Sequence, residues 1–311
     1  MSLYQTTRPD DFDGVFGNKQ AVQILRSAVD AEDRPHTYLL YGPSGCGKTT
    51  LARIMAKKLG CDVKPEGSAD YMEVNASNTR GIDDMRRIAQ DASYPPITGG
   101  VRVVVIDECH AATKDAQNCL LKPLEDTPDH QYYILCTTDP HKLLKTILTR
   151  CSQVEIKPLS EDDIFAMLGR VVDVHKLPDP GDNVLDAITK RAEGCARSAM
   201  TMLEQQLGKS ESEALATVNA YQSQERQGID LCRALISKQP WRKIVSIYTK
   251  LENPEPEGLR RLLLAWLKTC MLKAKSDDEA GKFANMIAEL SEPTYDCGEA
   301  GLLAMMFNAM N

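Results

Sequence analysis

Residues 37–49 run Thr37-Tyr38-Leu39-Leu40-Tyr41-Gly42-Pro43-Ser44-Gly45-Cys46-Gly47-Lys48-Thr49. The first five are short, apolar and β-favouring, the pattern of a buried strand. The last eight have the G-x-x-x-x-G-K-[ST] spacing of a phosphate-binding loop. Beyond them, Leu51 to Leu59 repeats apolar residues at helical spacing and stops at Gly60, a natural residue just past a helix end. Strand, glycine loop and helix therefore follow in the order that such a loop requires. Glycines let backbone N–H groups curl around phosphate oxygens. Lys48 is placed to reach the β- and γ-phosphates, and the Thr49 hydroxyl to ligate Mg²⁺.

Strands and helices alternate on either side of this segment. Asp70–Asn75, Val101–Ile106, Tyr132–Thr137 and Gln153–Ile156 read as strands, and Gly81–Ala92 and Asp115–Glu125 as helices, the latter with Pro123 intruding. Apolar strands separated by helices predict a parallel sheet covered on both faces. The texture changes at Lys157-Pro158-Leu159-Ser160, where Ser160 and Asp163 form a helix start. From there to Asn311 the pattern is helical, with a break near Gly208. The expectation is α/β plus all-α: an α/β domain over 1–157, a small helical domain over 158–208, a connection over 209–227 and a second helical domain over 228–311.

A second chemical motif is Val103-Val104-Val105-Ile106-Asp107-Glu108, an apolar strand ending in two acids. Such a strand delivers carboxylates to the sheet edge where ligands bind in open α/β folds. Asp107 is the candidate Mg²⁺ partner and Glu108 the candidate general base. Thr138 closes the next strand, where it reads either as a group near the reacting water or as a satisfied turn threonine. Arg150 reads either as a solvated surface residue or as a guanidinium that meets phosphoryl charge.

Composition narrows the class. The 311 residues suit two or three domains, and 42% hydrophobic content supplies their cores. No apolar run approaches the roughly 20 residues of a membrane span, and the N-terminus lacks a signal-peptide pattern. The ten cysteines include no C-x-x-C pair, which argues against a zinc site and a disulfide framework and for a reduced, cytoplasmic protein. A net charge of −7 disfavours a wholly basic nucleic-acid coat but leaves room for a local basic stripe.

Several co-linear segments together are more specific. Arg8-Pro9-Asp10-Asp11-Phe12, Asn75-Ala76-Ser77 with Arg80-Gly81-Ile82-Asp83, Ala116-Gln117-Asn118-Cys119-Leu120-Leu121-Lys122, Thr137-Thr138-Asp139-Pro140, Thr149-Arg150-Cys151 and Gly194-Cys195-Ala196-Arg197 resemble AAA+ clamp-loader ATPase subunits. These are similar to the small subunits of replication factor C and the bacterial tau/gamma subunit. The match spans roughly the first 200 residues.

The resemblance implies an AAA+ domain, a helical lid and a collar. It implies ATP and Mg²⁺, with Gly42, Pro43, Ser44, Gly45, Cys46, Gly47, Lys48, Thr49 and Thr50 around the phosphates. Tyr4, Arg8, Pro9, Val15 and Phe16 would close over adenine and ribose. Thr138 matches the sensor 1 position and Arg197 the sensor 2 arginine. Arg150 matches an arginine finger acting in trans. DNA phosphates would meet Arg80, Gly81, Ile82, Arg86, Thr113 and Lys114; the lesser reading of Arg86 is an ion-paired surface residue. The implied partners are a sliding clamp, primer–template DNA and other subunits in a pentamer, with no membrane. Gln117 reads either as a link between the DNA-facing helix and Glu108 or as ordinary helix polarity.

Three departures stand out. Thr149 replaces the usual serine, Pro123 enters a helix, and no cysteine cluster follows Cys61, so no zinc is expected. The missing zinc module and the compact length suggest a phage or otherwise minimal system. Residues 228–311 carry amphipathic stretches and no catalytic signature. Trp241 and Trp266 read as core residues.

Overall fold

A computed structural model describes residues 2–310 except 65–67, 79, 80, 93, 99, 252–255, 275, 295 and 296; the side chains of 84, 89, 91, 92 and 219–227 also lie outside it. The chain forms two compact units, residues 1–214 and 215–311.

The first unit is built on β1 (Thr37–Tyr41), β2 (Tyr71–Asn75), β3 (Arg102–Asp107), β4 (Gln131–Thr137) and β5 (Ser152–Glu155). All pair in parallel, in the order β2-β3-β4-β1-β5. Its helices are α1 (Leu3–Thr6), α2 (Lys19–Asp30), α3 (Lys48–Lys58), α4 (Ile82–Ala92), α5 (Lys114–Glu125), α6 (Lys145–Leu148), α7 (Glu161–Val174), α8 (Asp182–Ala192) and α9 (Ala196–Gln206).

The period of two along each strand explains the layers. Tyr38, Leu40, Val103, Val105, Ile134 and Cys136 point to one face, where Leu25 of α2 and Leu51 and Met55 of α3 cover them. Leu39, Val104, Ile106, Tyr133 and Leu135 point to the other, under Met85 of α4, Leu120 of α5 and Ile147 of α6. Both faces are covered, so β3 and β4 read as nearly continuous apolar runs.

Strand order positions the chemistry. The chain leaves β1 for β2, returns through β3 and β4, and then crosses β1 to reach β5. The carboxyl edge of β1 is thus a topological switch point, where open α/β sheets leave a crevice. Pro123 does not end α5, which continues to Glu125; its missing N–H falls in the last turn, so the loss is confined there. Ser160 caps α7 by accepting the Asp163 N–H at 3.1 Å.

A turn at Gly208 ends the first unit's helices, and Ser210 and Glu213 cap the next helix reciprocally. The second unit holds most of α10 (Glu211–Ile236), with α11 (Trp241–Tyr248), α12 (Pro256–Leu272), α13 (Asp277–Glu289) and α14 (Gly298–Met310). The segment 209–227, expected as a connection, is largely helical within α10. Leu231, Leu235, Ile244, Leu263, Phe283, Leu290, Leu302 and Met306 form its core, and Trp241, Trp266, Met305 and Met310 pack against that core. Glu257 is buried in it and takes hydrogen bonds from Arg260 at 2.7 and 2.8 Å and from the Thr294 N–H at 3.0 Å.

Candidate nucleotide site

The loop after β1 is shaped by contacts that leave no room for side chains. A Cβ on Gly42 would lie 1.9 Å from the Ile156 carbonyl oxygen. One on Gly45, whose φ is +73°, would lie 2.4 Å from Cys195 Sγ. The Gly42 N–H donates to the Thr137 carbonyl at 3.2 Å, tying the loop to the end of β4. Lys48, at the first position of α3, is buried. Its ammonium donates to the Gly42 and Pro43 carbonyls at 2.9 and 2.8 Å.

The phosphate loop and the two-acid strand meet across β4. Thr49 Oγ1 donates to Asp107 Oδ2 at 2.8 Å. Asp107 Oδ1 accepts the Glu108 N–H at 3.0 Å, which holds Glu108 in a left-handed conformation with φ 50°. That conformation is uncommon for a non-glycine residue and marks a constrained turn. Thr138 Oγ1 donates to Glu108 Oε2 at 3.2 Å.

A cleft of about 670 Å³ opens here. Ser44–Leu51, Asp107 and Glu108 form its floor; Tyr4, Arg8, Pro9, Val15 and Phe16 form one wall; Arg170, Val171, Arg197 and Met200 of α7 and α9 face it. Thr138 reaches this cleft through Glu108 rather than lining it. Arg197 is exposed; its guanidinium carbon lies 5.6 Å from the Tyr4 ring centroid, with that of Arg8 at 5.8 Å. The Arg197 N–H donates to the Gly45 carbonyl at 3.3 Å.

Several features fit an anionic nucleotide. Arg8 Nη1 is buried and has no hydrogen-bond partner among the described residues. Burial, then the nearby Arg53, lowers the Arg8 pKa below the ordinary arginine value. Arg53 itself is engaged bidentately by Glu73 at 2.7 Å, so the surplus positive charge rests on Arg8. Burial would raise the Glu73 pKa, but the bonds from Arg53 and Tyr71 outweigh it and the carboxylate stays below its usual range. Thr49 and Asp107 supply an oxygen donor pair suited to a hard divalent cation.

Other expected residues lie elsewhere. Arg150 is outside the cleft, at the surface beyond α6. Its guanidinium donates to Glu125 Oε2 at 2.5 and 3.1 Å and to the Thr146 carbonyl at 2.9 Å. Gly81 and Ile82 stand at the start of α4, and Thr113 and Lys114 at the start of α5, two helices that pack together. Thr113 caps α5 through the Ala116 N–H at 3.2 Å. Arg86 is exposed and lies 3.5 Å from Asp83, an (i, i+3) ion pair. Arg80 lies outside the described residues. Gln117 does not reach Glu108. It is buried, donates to the Ala112 carbonyl at 3.1 Å and accepts the Leu144 N–H at 2.9 Å, bracing α5 against the chain before α6.

Four contributors carried no local sequence signal. His110 stands beside Glu108 and Thr137. Cys195 packs on the glycine loop. Glu204 of α9 accepts the Leu3 N–H at 3.0 Å, docking α1 on that helix. The Arg170 guanidinium carbon lies 5.7 Å from the Phe16 ring centroid. Each depends on a contact that spacing along the chain does not record.

A five-stranded parallel sheet with the phosphate-binding loop at its switch point, two acids two strands away and a helical cover carrying an arginine defines an AAA+ nucleotide-binding protein. A family model described as "DNA polymerase III, delta subunit" matches residues 17–160. The DNA polymerase III subunit tau of Bacillus subtilis (strain 168) is 33% identical over 221 residues, 66% of this chain and 39% of that protein. The Escherichia coli K12 subunit tau is 31% identical over 220 residues, 65% of this chain and 34% of that protein. Over about two thirds of its length this chain is thus similar to DNA polymerase III tau subunits, a likeness that supports a clamp-loader AAA+ subunit. It spans 39% and 34% of the length of those two relatives. A point mutant of Thermotoga maritima RuvB, 21% identical, superposes with a TM-score of 0.56 over 82% of this chain and 85% of that one, a likeness of fold.

Proposed function

We propose that the chain is an ATPase subunit of a sliding-clamp loader acting in DNA replication. The observation that carries this reading is the division of the arginines. Lys48, Thr49, Asp107, Glu108 and Arg197 converge on one cleft, whereas Arg150 sits outside it on the surface. A partly exposed guanidinium held by an exposed carboxylate can exchange that partner for a neighbouring subunit's phosphate.

Within the site, the loop N–H groups and Lys48 hold the phosphates of ATP. Thr49 and Asp107 are the groups that would hold Mg²⁺, which when bound supplies charge neutralisation at the phosphate oxygens. Glu108 accepts a proton from the attacking water, with Thr138 fixing its carboxylate. Arg8, Tyr4, Pro9, Val15 and Phe16 enclose the nucleoside end. Arg197 is the lid's own contact to the terminal phosphate.

The remaining assignments rest on the family. The lid is 158–208, and the helices of 228–311 form a collar joining five subunits. The N-termini of α4 and α5, with Gly81, Ile82, Thr113 and Lys114, face DNA phosphates; Arg86, and Arg80 by its place in the sequence, are further candidates. ATP binding holds the clamp open on primer–template DNA, and hydrolysis releases it. The compartment is the cytoplasm. The RuvB likeness is one of fold and does not favour a branch-migration task.

The test is phosphate release by the full chain with partner subunits, primer–template DNA and a sliding clamp. DNA plus clamp accelerate turnover if the reading is right; no acceleration in a complete assembly refutes it. Glu108→Gln keeps ATP binding and abolishes turnover. Mixing Arg150→Ala chains with wild type lowers activity more than in proportion, and a proportional loss removes the trans role.

A further inference from the structure

The turn that follows β3 has an architecture that the two acids alone do not require. Glu108 takes a left-handed backbone, and Cys109–Ala111 then forms a single 3-10 turn. Cys109 is buried among Val104, Ile106 and Leu135, which pins the turn to the sheet. The chain folds back so that the His110 side chain lies beside the end of β4. There His110 Nδ1 is 3.0 Å from Thr137 Oγ1 and 3.3 Å from Glu108 Oε2.

The direction of the Thr137 contact depends on the ring tautomer, and the nearby carboxylate selects between the two. Thr137 Oγ1 already accepts the Asp139 N–H at 3.0 Å. A carboxylate oxygen 3.3 Å from a bare ring nitrogen would be repelled, so the tautomer with Nδ1–H relieves that repulsion; the N–H is directed at Thr137 Oγ1 and Glu108 Oε2 lies in close electrostatic contact beside it. Glu108 Oε2 is then flanked by Thr138 Oγ1 at 3.2 Å and His110 Nδ1 at 3.3 Å. Oε1 has neither of these neighbours.

We propose that His110 is a positioning residue for Glu108: anchored on Thr137, it fixes Oε2 on the β4 side and leaves Oε1 as the oxygen that takes the water proton. His110 touches no reacting atom in this scheme. Thr138 restrains the carboxylate from one side only, and a carboxylate on a flexible side chain needs a second restraint to keep one orientation. The inference rests on Glu108 being the general base.

The experiment measures steady-state ATP turnover and nucleotide affinity of the full chain in its assembly, for His110→Ala, His110→Asn and His110→Gln. An asparagine amide can stand where Nδ1 stands; the longer glutamine places its amide nearer the position of Nε2. His110→Ala lowers kcat about tenfold, the scale expected when a catalytic group loses its orientation. KM and nucleotide Kd stay within about twofold, because ground-state binding is untouched. His110→Asn recovers most of the rate and His110→Gln does not. An unchanged kcat, a KM rise matching the kcat loss, or equal rates for the asparagine and glutamine variants overturns the proposal. Should the alanine variant fail to fold, the asparagine–glutamine comparison decides alone. If Glu108→Gln itself retains turnover, the assignment of the base has failed. If it does not and the His110 variants leave kcat alone, only this inference has failed.

Discussion

Replacing Gly45 by alanine should uncouple the glycine loop from the helical cover, and the size of the effect follows from two terms. The φ of +73° is left-handed, which costs an L-residue about 1–2 kcal/mol. The new Cβ would stand 2.4 Å from Cys195 Sγ and 3.2 Å from Arg197 Cβ, and overpacking of this kind costs about 1–3 kcal/mol. Together Gly45→Ala should destabilise the first unit by about 2–5 kcal/mol. Cys195→Ala removes the atom at the closest contact while leaving the backbone strain. It sacrifices the long bond from the Ser198 N–H to Cys195 Sγ at 3.4 Å, a minor loss. The double variant should therefore regain about 1–3 kcal/mol relative to the sum of the single variants. The assay is urea denaturation of the full chain, followed by circular dichroism and by hydrogen exchange at β1 and β3. Both tryptophans, Trp241 and Trp266, lie in the second unit, so their fluorescence is an internal control that should not move with Gly45→Ala. A coupling below about 0.5 kcal/mol would show that the loop is not packed on Cys195 and would refute the argument.

Three further outcomes are expected. Thr49→Val, nearly isosteric, removes the 2.8 Å bond to Asp107, and isothermal titration should show that added Mg²⁺ no longer strengthens nucleotide binding while the Mg²⁺-independent part persists. Gln117→Leu strands the Leu144 N–H and the Ala112 carbonyl in a buried site, and should cost about 1–3 kcal/mol in the first unit's urea unfolding. In the second unit, the bonds from Arg260 and the Thr294 N–H hold Glu257 well below the ordinary glutamate value of 4.5, so its contribution is fully present above pH 4.5 and is lost as pH falls below it. Tryptophan-monitored unfolding should therefore show wild type losing its advantage over Glu257→Gln on acidification below that point, and a constant gap down to about pH 3 would contradict the assignment.

Much of the site was legible along the chain because its signals are local. Gly42–Thr49 and Val103–Glu108 announce themselves by spacing and by an apolar run ending in acids. The α/β alternation and the start of α7 at Ser160 are likewise short-range patterns. Pro123 read as a helix disruption, yet its place in the last turn of α5 limits the effect to one missing bond. Gln117 is the instructive case. Helix periodicity put it on α5, but only packing shows that its amide braces the segment before α6 instead of touching Glu108.

The sequence by itself therefore determined that a phosphate loop, a two-acid strand and a helical C-terminal region share this chain, since glycine conformation, β-branching and amphipathic spacing act over a few residues. Only the tertiary structure decided how they meet. Strand order places β4 between β1 and β3, which brings Thr138 to Glu108 and the Gly42 N–H to Thr137. It also sets Tyr4 beside Arg197, Cys195 against Gly45 and His110 beside Glu108, contacts made by folding segments together that no periodicity records.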